Sequence, residues 1–232
     1  MAVLLRVCLA LVMVVASGGA HGQPLPTADE LYRAHTKAIG FQDALASYGT
    51  IVAHAHVTVG AREYDTEVRA KLSSTRLGDA DFTIIRDGVR TLYADKGGVL
   101  TGTTGGGAPE ALPPTMAAFI HGHQFHLRVL YPALTLVSVS GPVVETIFAG
   151  TSAFSVAGKT AHGDDLTYFF DVSNSQMLGF SLTVHEEEGP RPMDFVLGDW
   201  CKKDGEKLFW RIEIADKADL YIYEFNKILL LP

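Results

Sequence analysis

The chain has 232 residues, a formal net charge of -7 and 47% hydrophobic residues. A mildly acidic protein of this kind is not expected to bind nucleic acid or an anionic membrane surface. Of its two cysteines, Cys8 lies in a segment that we expect to be removed, so Cys201 has no partner and no internal disulfide can form.

The first 22 residues have the features of a secretory signal peptide. Arg6 is the only charge, residues 7–16 are apolar without interruption, and small residues follow. Such a run is too short to cross a bilayer as a mature helix. We therefore expect cleavage after Ala20 or Gly22, a periplasmic mature protein with no integral membrane span, and one domain over residues 23–232.

A short amphipathic helix is predicted at the start of the mature chain. Thr27 and Glu30 have the spacing of a capping box, and Gly40 provides a stop. The apolar stripe between them is narrow, so the helix needs a sheet to pack on.

Strands are predicted through most of the remaining sequence. Gly60-Ala61 and Asp87-Gly88 are hairpin signals between apolar runs, and residues 173–175 form another turn. Residues 101–108, with four glycines, are expected to form a mobile surface loop. Alternating apolar residues over 192–231 predict three final antiparallel strands, with turns at 203–206 and 216–219. We count ten or eleven strands, which favours a curled or partly closed sheet.

Residues 114–131, called the inserted segment below, interrupt this strand pattern. Their apolar residues predict two short helical pieces on either side of Gly122. The segment could be a lid over a hydrophobic cavity, or a packing helix that closes one end of a barrel. The residues alone leave both interpretations open.

Histidines and carboxylates are the candidates for chemistry. His121, His123 and His126 resemble a metal site, but no Asp, Glu or Cys lies in the segment to complete it. The adjacent carboxylates at Asp164-Asp165 and in residues 186–188 favour solvated turns. No hydrolase signature occurs. We predict that the chain is not an enzyme and needs no metal or cofactor.

The order of features resembles the LolA-like family of bacterial outer-membrane lipoprotein-sorting proteins. The matching stretches are TADELYRAHTKAIGF, the pair around Arg86-Asp87-Gly88, PPTMAAFIHGHQFHLRVLYP, the pair around YFFDVSNSQMLGF, and the ending GDWCKKDGEKLFWRIEI to YIYEFNKILL. The resemblance implies a mainly β (α+β) fold: a strongly curved antiparallel sheet forming an incomplete barrel, an N-terminal helix, helices that plug the mouth, and an apolar interior that receives lipid chains.

These observations predict a monomeric, non-enzymatic binder or carrier of a lipid or a lipoprotein acyl chain, with an envelope protein as a further possible partner. Eight residues are predicted to line the ligand site: Phe119, Ile120, Phe125, Leu127, Leu130, Trp210, Tyr223 and Phe225. One alternative is an envelope sensor or scaffold whose core is filled by side chains. The other is a metal-dependent enzyme built on His121, His123 and His126.

Overall fold

The chain folds into one curved antiparallel sheet with a few short helices. The structure, a computed structural model, describes residues 24–41, 49–73, 76–203 and 206–232. The predicted signal peptide and the predicted turn at Asp204-Gly205 lie outside these ranges. Among the described residues, no helix is long and apolar enough to span a membrane. The strands are β1 Thr50–Val59, β2 Arg62–Ser73, β3 Arg76–Arg86, β4 Val89–Lys96, β5 Val99–Thr104, β6 Glu110–Ala111, β7 Leu136–Val139, β8 Val144–Phe148, β9 Thr151–Thr160, β10 Asp165–Asp171, β11 Met177–Glu186, β12 Gly189–Lys203, β13 Glu206–Asp216 and β14 Asp219–Leu231.

Two meanders are joined at the middle of the sheet. The strand order is β6-β5-β4-β3-β2-β1-β14-β13-β12-β11-β10-β9-β7, and β8 also pairs with β9. Strand β1 pairs with β14, which connects the N-terminal meander to the C-terminal one. The sheet does not close, so β6 lies at one edge and β7 with β8 at the other. The predicted incomplete barrel is confirmed.

Local sequence signals account for the helix and the tight turns. Helix α1 spans Ala28–Ala38 and begins with the predicted capping box between Thr27 and Glu30. Gly60 has a φ of 58°, and Asp87 and Gly88 have φ values of 50° and 75°, so these hairpins use the left-handed region that glycine and aspartate tolerate. A turn between β13 and β14 is also present where it was predicted, with Lys217 at a φ of 55°.

The sheet has more strands than the sequence predicted. Residues 99–104 form β5, so the predicted glycine-rich loop is confined to a short turn after Thr104. Gly102 lies in this strand and leaves room for the Leu112 side chain. A Cβ at position 102 would lie only 3.2 Å from a Leu112 methyl group. Strand β9 was missed because its sequence, TSAFSVAGKT, is polar and small, although Ala153, Val156 and Thr160 face the core.

The close approach of β11 and β12 depends on Gly179. A Cβ at this position would lie 2.1 Å from the carbonyl oxygen of Phe195 and 2.7 Å from the Phe148 ring. Overpacking against backbone cannot be relieved by a rotamer change. We expect Gly179→Ala to lower the free energy of unfolding by about 3 kcal/mol in urea titrations. Gly198→Ala in β12 is the control, because its Cβ would have no neighbour closer than 3.7 Å. Equal stability of the two variants would contradict this account.

Candidate functional site

The inserted segment connects the two opposite edges of the sheet. After β6 it forms a 3-10 turn at Pro114–Met116, then α2 Ala117–Gly122 and α3 Phe125–Leu130, and the short helix α4 Pro132–Thr135 follows it and leads into β7. Since β6 and β7 are the free edges, the chain must cross the open side of the curved sheet between them. The predicted pair of short helices around Gly122 is therefore confirmed.

The inserted segment lies inside the curve and occupies it. Residues 120 to 132 are buried without a break. Helix α2 contacts β3 and β4 on one limb of the sheet and β11 on the other. Gly122 permits a close approach of α2 to β12 as well, because a Cβ there would lie 2.4 Å from the Phe195 ring. The hollow expected from the sequence is thus largely filled by the chain itself.

Four of the eight predicted ligand-lining residues are buried in one hydrophobic cluster, and two more pack against its border. The Phe125 ring lies 5.4 Å from Tyr223 and 6.1 Å from Phe225, edge to face in both cases. Ile120 is buried in the same cluster, and Phe119 packs against its border. Leu127 and Leu130 are also buried, but they belong to a second cluster with Ile39, Phe41 and Ile51.

Trp210 is the eighth residue, and it is only partly buried. Its neighbour Phe209 takes the interior position, 1% exposed, with its ring stacked at 4.3 Å on His126. Trp210 was predicted to face inward because apolar residues alternate along β13. Phe209 and Ile212 are both buried although they are three positions apart, so the inward-outward alternation is interrupted between them. Asp199 on β12 has a φ of 53°, and the register skips from the Gly198–Arg211 pair to the Trp200–Phe209 pair, so the backbone is irregular here.

An open cleft remains beside the start of the inserted segment. This mouth cleft has a volume of about 420 Å³ and lies between the two limbs of the sheet. Phe119 and Met116 supply one wall, and Tyr64 and Met193 come from the facing strands. Its remaining apolar lining consists of Val59, Ile84, Tyr93, Val184 and Tyr221.

The rim of the mouth cleft carries more positive than negative charge. Four cationic side chains, Arg62, Arg86, Arg191 and Lys217, and two carboxylates, Glu186 and Asp216, line it, which leaves a formal balance of 4 − 2 = +2. Arg191 donates to Glu186 at 2.9 Å and also to Asp216. The Arg86 guanidinium lies 5.1 Å from the centre of the Tyr64 ring and pairs with no carboxylate among the described residues. A locally positive rim on an acidic chain favours an anionic group.

His123 and His126 are buried separately in the aromatic core. His123 bonds the Phe119 carbonyl through Nδ1 at 2.6 Å, and its Nε2 contacts the Tyr223 hydroxyl at 2.7 Å. Burial lowers the pKa of His123 to about 4, against the opposing effect of the Phe119 carbonyl. Burial lowers the pKa of His126 to about 3, opposed by a hydrogen bond to the Phe209 backbone. The two rings are neutral packing groups, and the three histidines of the segment do not converge.

The comparisons with known proteins find similarity to solved structures and none at the level of sequence. No protein-family model and no curated protein matches the sequence. A LolA superfamily protein of Nitrosomonas europaea superposes with a TM-score of 0.55 at 10% identity, covering 90% of this chain and 95% of that one. A domain named for outer-membrane lipoprotein sorting, from Vibrio parahaemolyticus, gives 0.53 at 7% identity, covering 86% and 93%. The chain has a LolA-like fold. The resemblance stated from the sequence is thereby confirmed at the level of fold.

His121 holds the two limbs of the LolA-like sheet together through carboxylates. Its Nε2 lies 2.7 Å from Asp95 Oδ2 at the end of β4, and its Nδ1 lies 2.7 Å from Asp164 Oδ2 in the turn between β9 and β10. His162 stacks on the His121 ring at 4.1 Å. The Asp164 side chain is therefore a mostly buried partner, 11% exposed, and the expectation that it lies in a solvated turn was wrong, whereas the Asp165 side chain is 45% exposed. Burial alone would raise the Asp164 pKa, but the hydrogen bond from His121 and the charges of His121 and Arg128 hold it below its usual value.

Arg128 adds a buried positive charge beneath this cluster. It is 0% exposed, and its Nε and Nη2 donate to the His121 carbonyl at 3.2 and 3.0 Å. The Phe180 ring lies 6.0 Å from the guanidinium carbon. No local pattern indicates the carboxylate partners of His121, since Asp95 and Asp164 are 26 and 43 residues away from it in the chain.

Proposed function

We propose that this LolA-like protein is a periplasmic, non-enzymatic binder or carrier of a hydrophobic ligand, a lipid or a lipoprotein acyl chain. The observation that carries the proposal is the mouth cleft, which combines an apolar wall formed by Phe119 and Met116 with a positively charged rim. An apolar cleft with a few placed polar groups is the usual form of a small-molecule site. Its position at the mouth of an incomplete barrel matches the resemblance drawn from the sequence.

The charge distribution favours an amphiphile with an anionic headgroup. An acyl tail would lie against Phe119, Met193 and Tyr64, while Arg86 and Lys217 would face the head. Burying about ten methylenes at about 0.8 kcal/mol each gives about 8 kcal/mol before ordering costs, so the net binding free energy is smaller and the complex is weaker than about 1 μM unless the headgroup contacts add to it. Such affinity suits reversible carriage.

Deeper binding would require the inserted segment to move. Ile120 and Phe125 are 1% and 0% exposed, so they can meet a ligand only after α2 and α3 have shifted from the sheet. The predicted ligand-lining residues then fall into two groups. Phe119 is accessible in the mouth cleft, and the buried members would line an enlarged site after displacement.

A charged substitution in the mouth cleft tests the proposal. We expect Phe119→Glu to weaken binding of a fluorescent fatty acid at least about tenfold, because a carboxylate would be desolvated against the tail and would repel an anionic head. The measurement is titration of the probe by fluorescence, together with native mass spectrometry of protein purified without detergent. Ile147→Glu is the matched control, since Ile147 lies on β8 and is 65% exposed.

Failure of the unsubstituted protein to bind any fatty acid or phospholipid probe would refute the proposal. Equal loss of binding in Phe119→Glu and Ile147→Glu would also contradict it, because the effect would then not depend on the mouth cleft. Circular dichroism and urea titration of both variants show whether each is folded.

A filled core favours a second candidate, an envelope sensor or scaffold. Its supporting observation is the unbroken burial of residues 120 to 132, which leaves little of the curve open. A scaffold would bind partners through its outer surface and would take up no lipid. Purification with no lipid adduct, together with retention of a specific protein partner by Phe119→Glu, would favour this candidate over a carrier.

A further inference from the structure

One polar cluster, away from the mouth cleft, has the composition of a metal site. Asp95, His121 and His162 each offer one ligand atom, and these atoms lie within 4.8 Å of one another. The three residues come from β4, from α2 and from the turn between β9 and β10. Neither the aromatic core nor the proposed hydrophobic ligand needs two stacked imidazoles and a carboxylate at this place.

We propose that Asp95, His121 and His162 bind one Zn²⁺ ion, with a fourth position open to water. Two imidazole nitrogens and a carboxylate oxygen are a ligand set that zinc takes readily. The ligand atoms are Oδ2 of Asp95, Nε2 of His121 and Nδ1 of His162.

The distances require only small movements for binding. Tetrahedral zinc with ligands at about 2.0–2.1 Å places neighbouring ligand atoms about 3.3 Å apart. Asp95 Oδ2 lies 2.7 Å from His121 Nε2 and 3.4 Å from His162 Nδ1, so these pairs fall on either side of that spacing. The imidazole rings are stacked with 21° between their planes. The His162 ring must therefore tilt so that both lone pairs point at one ion.

The surroundings of His121 are those of an oriented metal ligand. Its Nδ1 faces Asp164 Oδ2 at 2.7 Å, and that carboxylate also accepts from Thr160 Oγ1 at 3.0 Å. A carboxylate on the far ring nitrogen fixes the tautomer that presents Nε2 to a metal. Asp95 is held in the same way, because Oδ1 accepts from the Gly98 amide at 2.8 Å and leaves Oδ2 directed at the histidines.

The hydrogen bonds of His121 are compatible with an ion on Nε2. Nδ1–H would donate to Asp164 while Nε2 binds the zinc. Access is through His162, whose side chain is 17% exposed, while those of Asp95 and His121 are 3% and 4% exposed. The ion would fasten α2 to strands of both limbs and so hold the inserted segment in place.

Equilibrium dialysis against Zn²⁺, followed by elemental analysis, tests the site on the purified chain without a polyhistidine tag. We expect one zinc per chain, and loss of this zinc in His162→Ala, which alters a partly exposed turn and should spare the fold. Asp164→Asn keeps the three ligands but weakens their orientation, so we expect about 10–100-fold lower affinity. Co²⁺ loading gives a second measurement, since tetrahedral cobalt absorbs visible light strongly and the absorbance should vanish in His162→Ala.

The control is His56→Ala, which removes an exposed histidine that lies 3.1 Å from Asp65 and 3.7 Å from Glu63. It should retain the zinc. Equal zinc content in the unsubstituted chain and in His162→Ala, or no bound zinc in the unsubstituted chain, would overturn the proposal. Because no lipid is present in these measurements, their outcome is independent of the proposed hydrophobic ligand.

Discussion

Replacing Asp95 with alanine is expected to lower the free energy of unfolding by about 3–5 kcal/mol, because a buried donor left without an acceptor costs about 1–3 kcal/mol and two such donors would result. Asp95 is 2% exposed, and its two carboxylate oxygens accept from His121 and from the Gly98 amide. The substitution leaves both donors without an acceptor and loosens α2 from β4. Urea titration in a metal-free buffer measures the change.

Asp65→Ala is the matched control for this prediction. Asp65 also contacts a histidine, His56, at 3.1 Å, but its side chain is 73% exposed. An exposed pair of this type contributes about 1 kcal/mol or less. If both substitutions cost the same, then the buried contact across the mouth of the sheet has no special role in stability.

Mild acid is expected to destabilise the protein through histidines that are buried in the neutral form. His35 Nε2 donates to the Val129 carbonyl at 2.9 Å, and its Nδ1 accepts from the Met177 amide at 3.0 Å, so the ring is held as one neutral tautomer. Burial lowers the pKa of His35 to about 4, against the effect of the Val129 carbonyl, and that of His126 to about 3. In the unfolded chain both pKa values return to about 6.5.

These pKa values determine whether acid raises or lowers the free energy of unfolding. Between pH 6.5 and about 4 the unfolded state binds more protons than the folded state, so stability is complete above pH 6.5 and falls as the pH falls. At pH 5 the loss is about 2 kcal/mol for each of these two histidines, and His123, with its pKa of about 4, adds a similar loss. Urea titrations at pH 7.5 and pH 5 measure the difference.

A variant with one fewer titrating group isolates the effect. His126→Phe keeps the stacking on Phe209 and removes the proton site, so the difference between pH 7.5 and pH 5 should shrink by about 2 kcal/mol. His56→Gln, at an exposed position of β1, should leave the difference unchanged. An unchanged difference in His126→Phe would show that another group controls the acid sensitivity.

Patterns with a short period were the features that the sequence predicted well. The capping box at Thr27 and the hairpins at Gly60 and at Asp87-Gly88 involve residues within a few positions of one another, and each formed as expected. Strands were missed where small and polar residues obscure the alternation, as in β9. Strand β5 was missed because glycine in a strand gives no apolar signal, although here Gly102 makes room for Leu112.

Predictions about burial were less complete, because burial depends on what covers a strand. Tyr223 and Phe225 were selected from the last strand, and both are in the core. Phe209 was passed over for Trp210, since alternation along β13 was assumed to continue through an irregular stretch. Asp164 was assigned to a solvated turn, because its sequence neighbours do not reveal the histidine that covers it.

The sequence by itself determined the antiparallel meanders, the capped helix and the helical break around Gly122, because these depend on contacts between near neighbours in the chain. Only the tertiary structure decided that the inserted segment lies inside the curve and that His121 meets Asp95 and Asp164. The physical reason is that a segment joining two opposite edges of an open sheet must cross its mouth. The residues that it meets there belong to strands far apart in the sequence, and no local pattern specifies them.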